Sequence, residues 1–347
     1  MKPGPPTGPK MATGIDEFDL IRSCFARLSS GEPGALDLRD DAAWLRPEAG
    51  MELVVSADAI VAGVHFPDTI DPADIARRAL RVNLSDIAAK GARPRAYTLS
   101  LVLPQTVGLD WVEAFAASLG DEQREFGVTL LGGDTTGTPG PLTININIFG
   151  EISENSMITR SGASAGEDVY VSGSIGDAML GLAVLKGDLT VENGDDRAFL
   201  ERRFLRPDPR VTTGPALVGV ASAAADVSDG LVADLGHICS ASNLAARVDL
   251  EAVPLSETAR GTVTDDQPLR INLLTGGDDY EIVFTAPVSA RDSIELISSE
   301  TDVAISRIGI MTEKTSGAPE VVVLDGSGNP VEVGVGGFRH FEEENAR

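Results

Sequence analysis

Apolar residues in the first half of the chain follow both helical and strand-like spacing. Residues 18–28 repeat apolar side chains at helical intervals and predict a first helix. A second helical stretch begins at Asp71 and Pro72 and stops at Gly91. Asp71 is its predicted cap, Pro72 lies in its first turn and Gly91 ends it. The remaining runs predict a helix at 110–126 and strands at 43–45, 53–56, 98–103, 128–131 and 142–150.

The second half repeats this mixture of short strands and amphipathic helices. Strands are predicted at 169–172, 246–250, 280–285, 303–309 and 321–324, and helices at 177–185, 196–204, 211–224, 231–240 and 289–298. The pattern predicts two α/β domains, at 14–151 and 152–347, after a disordered tail at 1–13 that lacks the apolar core of a signal peptide.

Charge and cysteine content indicate which binding partners and which cellular compartment to expect. The 347 residues include 28 basic and 53 acidic side chains, a net charge of -25 that disfavours nucleic acid and anionic membranes as partners. No run of about 18 apolar residues predicts a membrane span. Cys24 and Cys239 are too few for a disulfide framework and fall within helical periodicity, so both are predicted to be core residues. We therefore expect a cytoplasmic protein.

Six aspartate motifs recur where an apolar run meets a turn. One Asp-Gly pair alone favours an ordinary turn, but six motifs beside apolar runs favour a site for hard cations, because grouped carboxylates repel one another unless cations or protons intervene. Magnesium is usually held by a few carboxylates and the phosphates of a substrate. The motifs are Asp40-Asp41, Asp58, Asp86, Gly132-Gly133-Asp134, Asp226-Val227-Ser228-Asp229-Gly230 and Gly276-Gly277-Asp278-Asp279.

The usual phosphate-binding motifs are missing from the sequence. It contains neither G-x-x-x-x-G-K-[ST] nor a G-x-G-x-x-G fingerprint after its first strands. Because only five lysines are present, arginine is favoured for phosphate contact, and Arg160 is the candidate, although an ordinary surface arginine fits its position equally well. His65 follows a carboxylate-bearing strand and is a candidate phosphate contact. His237 and His340 have no second ligand at metal spacing in the sequence, which disfavours zinc.

Seven motifs in order resemble the thiamine-monophosphate kinase family, over about residues 14–341. They are Asp40-Asp41-Ala42-Ala43, Ala62-Gly63-Val64-His65-Phe66, residues 82–92 (VNLSDIAAKGA), Gly132-Gly133-Asp134-Thr135-Thr136, Thr159-Arg160-Ser161-Gly162, Asp226-Val227-Ser228-Asp229-Gly230-Leu231 and Gly276-Gly277-Asp278-Asp279-Tyr280-Glu281. The resemblance implies an α/β two-domain fold like that of aminoimidazole ribonucleotide synthetase, with a mixed α/β N-terminal domain that dimerises and binds metal and ATP, and a C-terminal α/β domain.

The resemblance also implies roles for individual residues. It implies several Mg²⁺ ions, ATP as co-substrate, thiamine monophosphate as acceptor, a homodimer and no side chain acting as general base. The implied metal ligands are Asp41, Ser56, Ala57, Asp58, Asp86, Asp134, Asp226 and Asp229. The implied ATP contacts are Gly133, Asp134, Arg160 and Ser228, and the implied thiamine phosphate contacts are His65, Asp278 and Phe338.

Three positions depart from the family pattern. Ala57 stands where threonine is common, and a metal contact there would use the backbone carbonyl. Arg39 replaces the glycine that usually precedes the Asp-Asp pair. Asp278 is one methylene shorter than the usual glutamate. These departures concern the metal and thiamine contacts rather than the reaction.

Two other functions stay open on the sequence alone. The first is another ATP-dependent enzyme of the same superfamily with a different acceptor. Its selenophosphate synthetase branch would require a reactive cysteine near the amino terminus, whereas Cys24 lies in a helical pattern without a glycine-rich loop. The second is a non-catalytic acidic module that binds divalent ions, which would take up metal without nucleotide.

Overall fold

The computed structural model describes residues 16–264, 266–315, 317 and 320–334. The predicted tail at 1–13, Phe338 and His340 lie outside the described residues. The chain forms two compact units. The first contains the described residues up to Ile87 together with Arg93–Asn155, and the second contains Ala88–Ala92 together with the described residues from Ser156 onward.

The first unit contains a four-stranded mixed sheet with strand order β1-β4-β2-β3. Strands β2 and β3 are parallel, and the other neighbours are antiparallel. The elements are α1 (Glu17–Leu20), continued by a π-helical Ile21–Phe25 and a 3₁₀ Ala26–Ser29, then 3₁₀ Pro33–Leu38, β1 (Met51–Val61), α2 (Pro72–Ala89), β2 (Arg93–Pro104), α3 (Leu109–Phe126), β3 (Thr129–Thr138) and β4 (Thr143–Ser153).

Alternation along β4 shows how this sheet meets its core. Ile144, Ile146 and Ile148 are buried, whereas Asn145 and Asn147 between them are half-buried. Successive side chains of a strand point to opposite faces, so one face of the sheet is packed into the core and the other is covered less completely. The apolar face of β4 was predictable from this period of two.

The second unit contains a six-stranded sheet with strand order β10-β7-β9-β5-β8-β6. All described neighbours are antiparallel except β10 and β7. The elements are β5 (Asp168–Ser172), α4 (Asp177–Lys186), α5 (Gly194–Leu205), α6 (Thr213–Ala216), β6 (Ala223–Asp226), α7 (Leu231–Ser242), β7 (Leu244–Asp249), α8 (Glu257–Thr262), α9 (Gln267–Leu273), β8 (Ile282–Ala286), α10 (Arg291–Thr301), β9 (Ile305–Glu313) and β10 (Val321–Leu324).

The central strands of this second sheet are buried on both faces. Every residue of β5 and of β8 is buried. Val169 and Val171 belong to one hydrophobic cluster, whereas Tyr170 between them stacks on Phe284 in another. A strand buried on both faces has an almost continuous apolar sequence instead of an alternating one, which explains why these strands can be recognised in the sequence.

Several predicted elements are wrong in type or extent. Residues 43–45 form an irregular segment rather than a strand. The helix predicted at 211–224 is limited to α6, and Ala223 already begins β6. Gly219, with a φ of 78°, lies between them in a conformation that does not continue a right-handed helix. Helices α8 and α9 were not predicted.

Two of the aspartates lie inside strands rather than at strand ends. Asp58 is the eighth of eleven residues in β1, and Asp134 lies in the middle of β3. Strand β3 continues through its glycine pair because Gly133–Thr138 pair in parallel with Leu99–Pro104 of β2. Among the described residues, no helix is both long enough and apolar enough to cross a membrane.

Candidate functional site

In the first unit, strand β1 and helix α2 bring three of the predicted metal ligands together. Ser56 Oγ donates a hydrogen bond of 2.5 Å to Asp86 Oδ2. The backbone N–H of Asp58 donates to Asn83 Oδ1 at 3.0 Å, one helical turn before Asp86. Ser56, Asp58 and Asp86 are all half-buried. Two carboxylates and a hydroxyl at one strand–helix junction are the oxygen ligands that Mg²⁺ prefers.

Asp41 and Asp134 are exposed on other segments of the same unit. Asp41 follows the 3₁₀ segment Pro33–Leu38, and its backbone N–H donates a hydrogen bond of 2.8 Å to Asp40 Oδ1. Asp134 follows Gly133, where a Cβ atom would lie 1.7 Å from the carbonyl oxygen of Leu99. Only glycine fits that close approach between β2 and β3, so the Gly133-Asp134 pair has a structural reason as well as its predicted contacts.

His65 lies in the turn after β1 and has a defined tautomer. Its Nδ1 accepts a hydrogen bond of 3.0 Å from the backbone N–H of Val61. In the neutral imidazole one nitrogen accepts and the other carries the proton. The proton of His65 is therefore on Nε2, which makes this atom a hydrogen-bond donor and not a base.

In the second unit, the segment Asp226–Gly230 forms a turn between β6 and α7. Asp226 is the last residue of β6 and is buried. The three following N–H groups of Ser228, Asp229 and Gly230 all donate to Asp234 Oδ2, at 3.0, 3.0 and 3.1 Å. The predicted ATP contact Ser228 and metal ligand Asp229 are thus held by a carboxylate that the sequence did not single out.

Asp229, Asp234 and His237 form the cluster of possible metal ligands in the described part of the chain. One ligand atom from each lies within 4.8 Å of the others. Burial raises the pKa of Asp234 to about 7, the Asp229 carboxylate adds to this, and the three N–H donors oppose it. His237 was predicted to have no second ligand at metal spacing, whereas the structure places Asp229 and Asp234 beside it. Asp234 and His237 are three residues apart on a helix, a spacing visible in the sequence.

The Gly276–Glu281 segment is hydrogen-bonded to the same turn. The N–H of Asp278 donates to the carbonyl of Ser228 at 2.8 Å, and that of Tyr280 donates to the carbonyl of Val227 at 2.8 Å. Asp278 and Tyr280 have φ values of 72° and 51°, which non-glycine residues adopt rarely. The predicted ATP contact Ser228 and the predicted thiamine phosphate contact Asp278 therefore share one rigid backbone unit.

Replacing Gly277 by Ala is expected to separate these two segments. A Cβ atom at position 277 would lie 2.2 Å from the carbonyl oxygen of Ser228. The backbone must move, so Ser228 and Asp278 shift relative to each other, and a loss of about tenfold in kcat/KM is expected from such displacement. Steady-state kinetics of Gly277→Ala measures this.

The control for that substitution is Gly236→Ala in α7. Outside the backbone of α7 and the two chain neighbours, no described atom lies within 4 Å of a Cβ built at Gly236. Alanine also favours a helix by up to about 1 kcal/mol over glycine. This variant should keep its kinetics and become slightly more stable. Equal kinetics for both variants would show that the contact between Gly277 and Ser228 does not position the site.

Asp279 and Glu281, at alternate positions of the same segment, are buried acidic residues. Asp279 accepts from the N–H groups of Gly176 and Ala178, at 2.7 and 3.3 Å. Burial raises the pKa of Asp279 well above its ordinary value, while these donors and Arg203 oppose the shift. Glu281, fully buried, was not predicted to matter.

Glu281 is the centre of a buried ionic network. It accepts from Arg203 Nη2 at 3.0 Å, from Arg210 Nε at 2.6 Å and from Ser172 Oγ at 2.7 Å, and it also pairs with Arg210 Nη2. Burial alone would raise the pKa of Glu281, but Arg210 and Arg203 hold it below its ordinary value. The network fixes the residue that follows the strained Asp278–Tyr280 segment.

Arg160 lies away from the Ser228 turn within the second unit. Its side chain is exposed, and its carbonyl accepts from Ser242 Oγ at the C-terminal end of α7. The Ser228 turn precedes the N-terminal end of this twelve-residue helix, which is roughly 18 Å long. The structure therefore does not bring the backbones of Arg160 and Ser228 together.

Comparisons with known proteins decide the family. The model for the N-terminal domain of AIR synthase related proteins matches residues 39–152, and the model for their C-terminal domain matches residues 164–322. The thiamine-monophosphate kinase of Escherichia coli (strain K12) is 42% identical over 332 residues, covering 95% of this chain and 99% of that protein. The chain belongs to the thiamine-monophosphate kinase family.

Solved structures of the thiamine-monophosphate kinase family support this assignment. The crystal structure of the kinase from Stenotrophomonas maltophilia K279a is 40% identical, with a TM-score of 0.79, and the match covers 89% of this chain and 96% of that one. AaThiL complexed with AMPPCP and TMP is 28% identical with a TM-score of 0.73, covering 94% of this chain and 97% of that one. The predicted two-domain fold related to aminoimidazole ribonucleotide synthetase is confirmed.

Proposed function

We propose that this protein transfers the γ-phosphoryl group of ATP to thiamine monophosphate, giving thiamine diphosphate and ADP. The observation that carries the proposal is the match to thiamine-monophosphate kinases over nearly the whole of both chains. The related AaThiL structure, which holds AMPPCP and TMP, supports both substrates. The phosphoryl donor is ATP, and the acceptor already carries a phosphate group.

The chemistry of this reaction needs no general base. The attacking phosphate oxygen of thiamine monophosphate is an anion at neutral pH, so no proton has to be removed before attack. The enzyme must bring two polyanions together in line, which is mainly a matter of positioning and charge neutralisation. The Nε2–H tautomer of His65 supports the same conclusion, since it can donate to a phosphate oxygen but cannot take a proton there.

Each of the two units has carboxylates that would hold Mg²⁺ ions. The donor chemistry fits, because Ser56, Asp58 and Asp86 lie at one strand–helix junction of the first unit, and Asp226 and Asp229 lie in one turn of the second. When bound, Mg²⁺ neutralises phosphate charge and orients the groups that react. The proposed ligands are Asp41, Ser56, the carbonyl of Ala57, Asp58, Asp86, Asp134, Asp226 and Asp229.

The substrate contacts are proposed from the resemblance to the family. Gly133, Asp134, Arg160 and Ser228 would contact ATP, and His65 and Asp278 would contact thiamine phosphate. The hydrogen bond from the Asp278 N–H to the Ser228 carbonyl supports neighbouring positions for the two substrates. The third proposed acceptor contact, Phe338, lies outside the described residues.

The test is a product assay. Purified protein is incubated with ATP, Mg²⁺ and thiamine monophosphate, with free thiamine and an aminoimidazole ribonucleotide precursor as parallel acceptors, and products are separated by chromatography. Thiamine diphosphate should form from the monophosphate alone and only with Mg²⁺ present. If the protein binds nucleotide but forms no thiamine diphosphate, it catalyses another reaction of the superfamily with a different acceptor. If it binds metal but no nucleotide, the result favours a non-catalytic module.

We also infer that two copies of the chain pair through the less covered face of the first sheet. Leu53 and Val55 on β1 are 36% and 58% exposed, and β1 is an edge strand. Ala57 and Ala59 continue this apolar row and are also exposed. An apolar face on an edge strand is a surface that another chain commonly covers. A second copy supplies a matching face by symmetry.

Replacing Val55 by Asp is expected to shift the protein from dimer to monomer. A carboxylate at the centre of an apolar interface loses its hydration without gaining a partner, so the dissociation constant should rise about 100-fold or more. Sedimentation velocity over a concentration series measures it. Leu296→Asp is the control, because Leu296 is similarly exposed, at 57%, on α10 of the second unit. A Val55→Asp protein that stays dimeric would place the interface elsewhere.

A further inference from the structure

We propose that Asp234 is a positioning residue that holds the Ser228–Gly230 turn in the conformation that binds the nucleotide and its metal. The proposal rests on the function proposed above and goes beyond it, because Asp234 is not among the residues assigned to metal or substrate. Its carboxylate acts through the backbone of Ser228 and Asp229.

The hydrogen bonds of Asp234 show why the turn depends on it. A single oxygen, Oδ2, accepts from three successive N–H groups, those of Ser228, Asp229 and Gly230. Asp234 is 1% exposed, so water does not offer these donors an equivalent partner. Gly230 adopts a φ of 126°, which leaves the turn little support from regular secondary structure. One carboxylate therefore sets the direction in which the Ser228 and Asp229 side chains leave the backbone.

The consequence extends to the segment with Asp278. The carbonyl of Ser228 accepts from the N–H of Asp278, and the N–H of Val232 donates to the carbonyl of Leu274. A turn that relaxes after loss of Asp234 would therefore move the Gly276–Tyr280 segment with it. Both substrates should be affected, the nucleotide first because Ser228 and Asp229 lie directly in the turn.

A role as a metal ligand is the competing explanation. Asp234 Oδ1 has no hydrogen-bond partner in the described part of the chain, and the side chain belongs to the cluster with Asp229 and His237. Asparagine separates the two roles. Its amide oxygen can still accept from the three N–H groups, and its amide N–H₂ can donate to the Asp229 carboxylate, but it offers no negative charge to a cation.

The experiment compares Asp234→Ala and Asp234→Asn with the wild type. The Kd for AMPPCP is measured by calorimetry in the presence of Mg²⁺, and the KM for ATP by steady-state kinetics. We expect Asp234→Ala to raise both about 10- to 100-fold, as loss of a residue that supports a ligand-binding group does. Asp234→Asn should stay within about threefold of the wild type on the same basis.

Asp325→Ala is the matched control. Asp325 Oδ1 also holds a turn of the second unit by accepting two backbone N–H groups, those of Ser327 and Asn329. Its loss should lower the unfolding midpoint and leave Kd and KM unchanged, because destabilisation reduces the amount of folded enzyme without changing the affinity of what remains folded.

The outcomes separate the hypotheses. Wild-type affinity in both Asp234 variants overturns the proposal, and an equal loss in folded Asp234→Asn and Asp234→Ala overturns it in favour of metal ligation. If Asp234→Ala does not fold, Asp234→Asn decides alone, since a folded Asn variant that loses nucleotide affinity contradicts positioning. A wild-type protein that binds AMPPCP but makes no thiamine diphosphate refutes the proposed reaction and still allows the binding comparison.

Discussion

Replacing Asp86 by Asn is expected to lower kcat/KM by at least about 100-fold, or roughly 2.7 kcal/mol of transition-state stabilisation. Asp86 lies on α2, where Ser56 donates to its Oδ2 and where Asp58 is held one turn away through Asn83. Asparagine keeps the shape of the side chain and removes the negative charge with which Asp86 would hold Mg²⁺. The measurement is the initial rate of thiamine diphosphate formation at several Mg²⁺ concentrations.

The control is Asp121→Asn, the same chemical change on helix α3 of the same unit. Asp121 is exposed and pairs only one turn along the helix with Arg124, an arrangement that contributes little to stability. Its rate should match the wild type. If Asp86→Asn remains within about threefold of the parent, a difference under about 1 kcal/mol, the reaction does not depend on Asp86 as a metal ligand.

Short-range sequence patterns predicted much of the fold. The period of two in β4, the Asp71-Pro72 start of α2 and the continuous apolar runs of β5 and β8 are local features, and each corresponds to an observed element. The helix predicted at 211–224 was wrong because an alanine- and valine-rich run fits both a helix and a buried strand. Glycine and proline within the run and pairing with β8 decided between them.

The parts of the candidate site that form short motifs of consecutive residues were predictable from the sequence. Asp226-Val227-Ser228-Asp229-Gly230 and Gly276-Gly277-Asp278-Asp279 stand out because their acids lie close to glycine, which allows tight turns. The sequence does not show that these segments are hydrogen-bonded to each other, since they are about 50 positions apart. Their proximity arises from the pairing of β6 with β8.

The supporting residues were missed for a different physical reason. Glu281, Arg203 and Arg210 are charged residues whose sequence context resembles that of a solvated helix or strand end. Their burial depends on each charge finding its partner across the unit, at separations of 71 and 78 residues. Buried charges are tolerated only when paired and hydrogen-bonded, so their role becomes visible only when the partners are known.

This network offsets the unfavourable backbone of the segment it adjoins. Asp278 and Tyr280 both have positive φ values, each of which costs on the order of 1 kcal/mol or more. Asp279 is tied to the first turn of α4 and Glu281 to two arginines, so the segment is fixed at alternate residues. The side chain of Asp278 is presented by a backbone that would otherwise relax.

Replacing Glu281 by Gln is accordingly expected to destabilise the protein by about 3 kcal/mol. The substitution keeps the size of the side chain, so it creates no cavity. It removes the charge that faces Arg203 and Arg210, whose side chains are only 4% and 17% exposed. Loss of this charge destabilises a buried guanidinium more than an exposed one, although Arg203 keeps Asp208 at 3.1 Å and Asp177 at 3.7 Å. Urea unfolding followed by circular dichroism measures the change in the free energy of unfolding.

Glu201→Gln is the matched control, because Glu201 pairs with Arg197 on the surface of α5 at a distance of 2.8 Å. An exposed helical pair of this kind contributes about 0.3–0.5 kcal/mol, so this variant should unfold close to the wild type. A Glu281→Gln protein as stable as Glu201→Gln would mean that Asp177 and Asp208 balance the charge of Arg203 without Glu281. The strained Asp278–Tyr280 segment would then owe its conformation to Asp279 and the Ser228 turn alone.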